Sequence, residues 1–139
     1  MTPAARDTPA VLRDLGAALL GAVPAGAARA KYRATVVGDV RRDELVADAG
    51  DGRPVPVAVP DAVRAAVEEL KRVMWTPERG TWLQTEMVLD RSTGRLLPLF
   101  NGDAEPAGPP LPRAALLAEL RDFPRPPGAV PGWMAERTG

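Results

Sequence analysis

Apolar positions along this chain switch between two periods. Val11, Leu12, Leu15, Leu19, Leu20 and Val23 recur at helical spacing and predict an amphipathic helix near 9–22, with Thr8 as N-cap and Pro9 in the first turn. Pro24 forbids its continuation. From Ala28 the period becomes two. Ala30, Tyr32, Ala34 and Val36 alternate with Lys31, Arg33, Thr35 and Val37, which predicts a strand with one basic face and a turn at Gly38-Asp39. Residues 43–48 and 53–59 read as shorter strands joined through Gly50-Asp51-Gly52, and Pro54 and Pro56 place the later one at a sheet edge. Val63, Val67, Leu70, Val73 and Met74 then return to helical spacing. That helix opens at Pro60-Asp61 and stops before Thr76-Pro77, and Glu68 and Arg72 lie four apart on it as a surface pair.

The stretch from Gly80 to Phe100 predicts a β-hairpin. Leu83, Thr85, Met87 and Leu89 share one face of its first arm, and Trp82, Gln84, Glu86 and Val88 the other. The segment from Asp90 to Gly94 is the loop, and Pro98 places the second arm at an edge because it has no N–H to donate. After a Pro/Gly-rich connection, Pro112 starts a third helix with Leu116, Leu117, Leu120 and Phe123 on one face, and Trp133 anchors a last short turn. The order is α-β-β-β-α-β-β-α-α. This is a single α+β domain over 1–139, an antiparallel sheet of about five strands with helices packed on one face. Residues 1–7 read as a loose tail.

Composition narrows the function. The 139 residues carry 18 Lys and Arg against 18 Asp and Glu, so there is no basic surplus to meet phosphates and no direct nucleic-acid partner is expected. No apolar run reaches the roughly 20 residues of a membrane span, and the N-terminus has no signal-type core, which points to the cytoplasm. With no cysteine and no histidine, disulfides, His/Cys zinc sites and Ser–His or Cys–His nucleophile pairs are excluded. Only carboxylate pairs remain as catalytic material: Glu68-Glu69, Asp43-Glu44, and Asp103 with Glu105. Glu68 and Glu69 are adjacent on a helix and point apart, and solvated charge is the better reading of all three. The loop Asn101-Gly102-Asp103-Ala104-Glu105 offers too few oxygen ligands, too irregularly spaced, for a calcium loop. Gly80 and Gly102 stand alone and form no phosphate-binding loop. No metal, cofactor or catalytic set is expected, and Trp82 and Trp133 read as packing anchors.

Three motif groups carry a family resemblance. Met74-Trp75-Thr76-Pro77-Glu78-Arg79-Gly80-Thr81-Trp82 leads into the hairpin. Leu99-Phe100-Asn101-Gly102-Asp103-Ala104-Glu105-Pro106 leaves it. Leu120-Arg121-Asp122-Phe123-Pro124-Arg125 with Val130-Pro131-Gly132-Trp133-Met134 closes the chain. In this order they resemble the YezG-like immunity proteins of bacterial toxin systems, which have a GTW strand, an Asn/Asp-rich exit and, in actinobacterial members, an RFPR…IPDWL ending. The chain departs from that pattern at Pro98 and at Gly102-Asp103-Ala104. The resemblance implies a cytoplasmic protein, not an enzyme, that binds a cognate toxin domain encoded by an adjacent gene and blocks it. The contact surface expected on that reading is the acidic exit (Asn101, Asp103, Glu105) with the charges of the first hairpin (Asp39, Asp43, Glu44, Asp48, Asp51). The alternatives are a non-inhibitory chaperone or adaptor for a secreted effector and, less favoured, a small carboxylate-dependent hydrolase.

Overall fold

The computed structural model describes residues 7–48 and 50–139. The tail expected at 1–7 lies outside them except for Asp7, which is no tail residue: its carboxylate accepts from Ala10 N (3.0 Å) and caps α1, Thr8–Ala22. The cap expected at Thr8 therefore falls one residue earlier. An aspartate before Thr-Pro serves better than the threonine, since its charge also meets the positive end of the helix dipole.

Five antiparallel strands follow the expected order: β1 Arg29–Val37, β2 Val40–Asp48, β3 Pro54–Val57, and, after helix α2 Asp61–Val73, β4 Gln84–Asp90 and β5 Arg95–Asn101. Their spatial order is β3-β2-β1-β4-β5. β2 begins three residues earlier than its apolar alternation suggests, because the Gly38-Asp39 turn throws the polar run Arg41-Arg42-Asp43 directly into pairing, with Val36 opposite Arg41 and Ala34 opposite Asp43. Both sheet edges end on proline. Pro54 and Pro56 lie in β3 and Pro98 in β5, in line with the edge positions read from the sequence.

Helices α1 and α2 bury one face of this sheet. Val11, Leu15 and Leu19 of α1 and Val63, Val67 and Leu70 of α2 join Ala30, Tyr32, Ala34, Val36, Leu45, Met87 and Leu89 in one apolar cluster. These strand positions are every second residue, so the alternation read from the sequence is the one that packs. The pattern breaks once. Trp82 belongs by parity with Gln84 and Glu86 but is 3% exposed and inserted in this cluster, 5.8 Å from Phe100. The chain bends at Leu83 before β4 starts, which releases Trp82 from the strand's alternation.

A second cluster forms at the end of the sheet where β1 stops. Helices α3, Arg113–Asp122, and α4, Gly132–Thr138, bring Leu111, Ala115, Leu116 and Met134 onto Val37 and Leu83. Val37 points to the face opposite Val36, so α3 and α4 cap one end of the sheet rather than thickening the α1–α2 layer. Gly38 makes this possible. Its φ of +56° closes the β1–β2 turn, and a methyl group on it would lie 2.4 Å from the Ala115 carbonyl oxygen.

Candidate protein-binding surface

Side chains that carry the sequence motifs are spent on the framework. Thr81 donates its hydroxyl to Lys71 O (2.8 Å), and Arg125 donates to Thr81 O (2.7 Å) and Ala129 O (3.1 Å). Trp75 Nε1 donates to Pro124 O (3.1 Å), and Trp133 Nε1 to Asp103 O (2.7 Å). Asn101 Oδ1 accepts from Ala104 N (2.9 Å) and Asp103 N (3.2 Å), while its amide donates to Ala104 O (3.0 Å), so it shapes the turn after β5. Each of these bonds satisfies backbone at a bend or a junction.

At the centre of the junction lies a group the sequence reading passed over. Lys71 Nζ, on a side chain 2% exposed, donates to Val36 O (2.6 Å) and Trp82 O (2.8 Å) and pairs with Glu119 Oε2 at 2.9 Å. Glu119 is fully buried, and its other oxygen accepts from Gly38 N (3.1 Å). The Trp82 and Phe123 rings flank the ammonium, with centroids at 5.4 and 5.1 Å. Burial pushes Lys71 down from its ordinary value of 10.5 to about 8, against the pull of the Glu119 carboxylate. The only hint in the sequence was positional: Glu119 lies one turn from Leu116 and Ala115, inside the apolar stripe of α3.

The acidic residues expected to form one contact surface are spread over the molecule. Asp39 is exposed at the β1–β2 turn, and Asp103 and Glu105 are exposed beyond β5 at the same end of the sheet, with Glu105 ion-paired to Arg137. Asp48 and Asp51 lie at the opposite end of β2, roughly 30 Å away at strand rise, where they hold the Gly50 and Arg53 amides. Glu44 is exposed on the face away from α1 and α2, opposite Arg33. Asp43 faces α2 instead. Its side chain is 16% exposed, takes a two-pronged contact from Arg64 (2.9 and 3.2 Å) and accepts from the Tyr32 hydroxyl (3.5 Å).

Asp43 and Tyr32 line a cavity of about 420 Å³ between β1, β2 and α2. Arg41 pairs with Glu68 across it at 2.6 Å, so Glu68 reaches the sheet and not Arg72 along its own helix. Burial, and then the Asp43 charge, hold the Tyr32 phenol well above its ordinary value. It stays protonated and serves as a donor. Two ion pairs, Arg41–Glu68 and Arg64–Asp43, hold four of the five charged side chains of this groove, and the fifth, Arg42, donates to Pro109 O (2.7 Å).

The sheet face away from α1 and α2 is different. Glu86 sits between Lys31 (2.7 Å) and Arg33 (3.3 Å) in cross-strand pairs. Beside them Leu97 and Leu99 of β5 are 58% and 71% exposed, with half-buried Val88 opposite Leu97. The sequence signal for this row was the run Leu96 to Phe100: five apolar residues on one strand cannot all face one core. Among the described residues, Leu97 and Leu99 are the most exposed large hydrophobic side chains.

No protein-family model matches the chain, and no curated protein does. Among the described residues there is no cluster of acidic side chains that could hold a metal ion, and no helix long and apolar enough to cross a membrane.

Proposed function

We propose that this protein is a cytoplasmic immunity protein, similar to the YezG-like family, that binds a toxin domain encoded by an adjacent gene and blocks its active site. The open sheet face carries the reading: exposed Leu97 and Leu99 stand beside the Lys31–Glu86–Arg33 cluster on a rigid five-stranded support. Apolar side chains rimmed by paired charges are how protein interfaces are built, with the leucines as anchors and the charges setting register. The family motifs fit the same picture from the other side. They hold turns and junctions, so a shared scaffold can present a different outer face to each toxin.

The acidic exit at Asp103 and Glu105 remains part of the proposed contact surface, and Asp39 lies at the same end. Inhibition needs no turnover by this chain. Co-expression with the product of the neighbouring reading frame tests the proposal. The expected result is a stable complex in which the toxin domain is inactive. Leu97→Asp with Leu99→Asp should weaken it at least about tenfold while leaving the fold intact. A neighbour that does not bind, or a bound neighbour that keeps full activity, would overturn it, and the second outcome favours a chaperone.

A further inference from the structure

The chain divides at the loop after β5. The elements up to Asn101 form the sheet and the α1–α2 layer, whereas α3 and α4 follow a connection that holds Pro106, Gly108, Pro109 and Pro110. The two apolar clusters have no residue in common. The second contains six buried residues against eighteen in the first among those described, and only Val37 and Leu83 come from before the loop. What joins the halves is largely polar: the Lys71–Glu119 pair, Gly38 N to Glu119, Arg125 to Thr81 O, and Trp75 to Pro124 O.

We infer that residues 113–139 form a strap that lifts from the sheet and recloses as a unit, with the Lys71–Glu119 pair as its latch. The physical reason is an asymmetry in what opening exposes. Lifting α3 and α4 uncovers few apolar groups but returns an ammonium and a carboxylate to water, and rehydration of both ions offsets much of the lost contact. The first cluster has no such offset. The strap supplies no strand, so it can leave without breaking any strand pairing in the five-stranded sheet. Segments of this kind open below the global unfolding free energy. The inference is independent of the proposed immunity role.

Native-state hydrogen exchange on the full chain decides it. Amides of α3 and α4 should exchange at least about tenfold faster than those of Tyr32, Ala34 and Met87, with a weaker dependence on denaturant. Gly38 gives the sharper readout. Its N–H is adjacent to β1 in the chain but bonded to Glu119, so it should follow the α3 rate and not the β1 rate. Exchange of α3, Gly38 and β1 through one common opening would overturn the strap. As a second measurement, Leu15→Ala weakens only the first cluster, which stays folded when the strap is open, so it should speed exchange in β1 while α3 is unchanged. Equal shifts in both regions would also overturn it. If that variant does not fold, the comparison within the parent protein is still decisive.

Discussion

Where α1 and α2 meet the sheet, the buried apolar cluster is built of leucine, valine, alanine, methionine and two aromatics, and the Tyr32 phenol donates to the Asp43 carboxylate at its margin. Where α3 and α4 meet it, six apolar residues share the junction with a lysine and a glutamate. The first junction is specified by periodicity and tolerates small adjustments of packing. The second is specified by atoms: the carbonyls of Val36 and Trp82, left open where β1 and β4 part, take the Lys71 ammonium, and Glu119 takes Gly38. A nonspecific apolar patch would dock α3 in many orientations. Only one brings Lys71 Nζ to both carbonyls and Glu119 to Gly38 N.

Removing one member of the latch should have the largest effect. Glu119→Ala leaves a buried ammonium without its counter-ion and is expected to cost about 3–5 kcal/mol in urea unfolding. The double change Lys71→Met with Glu119→Leu removes both ions but strands Val36 O, Trp82 O and Gly38 N, so it should cost less than the two single changes together without exceeding the stability of the parent. If the two single changes and the double change were simply additive, the contrast between the junctions would collapse. Leu15→Ala, fully buried in the first cluster, should cost about 2–5 kcal/mol of global stability while exchange in α3 is unchanged. Gly38→Ala forces the turn away from Ala115 and adds strain at positive φ; a cost of about 1–3 kcal/mol, with faster exchange in both α3 and β1, is the expected signature.

The pH dependence follows from the two shifted groups. Lys71 titrates lower in the folded protein, about 8, than its ordinary 10.5, so between these values the unfolded chain binds more protons and this group adds stability as pH rises. Tyr32 is shifted upward from 10.0, so its contribution is complete below that pH and is lost above it. Urea midpoints should therefore rise from pH 8 toward 10 and turn down beyond. The rise should vanish in the Lys71→Met, Glu119→Leu protein, and a rise that persisted there would assign it to another group. The smallest effect belongs to the open face: Leu97→Ser and Leu99→Ser should each change stability by no more than about 0.5 kcal/mol.

The same contrast explains what could be read in advance. The strand order along the chain, the helices and both edge prolines follow from spacing that any observer of apolar and polar positions can count. Asp7, Trp82 and Glu119 could not be placed that way. Asp7 looked like tail because a cap is one residue with no period. Trp82 departs from its row because of a bend at Leu83 that no local pattern marks. Glu119 and Lys71 are charged residues 48 positions apart that become partners only after the sheet exists. Among the residues expected to bind a partner, Asp43 and Asn101 show the same limit: an acidic or amide side chain in a turn-rich stretch reads as surface, and long-range pairing with Arg64 or a local turn can claim it first.

The prolines at both margins have one more consequence. In β3 and β5 the ring nitrogens of Pro54, Pro56 and Pro98 replace amide protons that a neighbouring chain would need in order to align alongside. Crowded copies of this molecule therefore have little means of zipping into ribbons along either margin of the sheet.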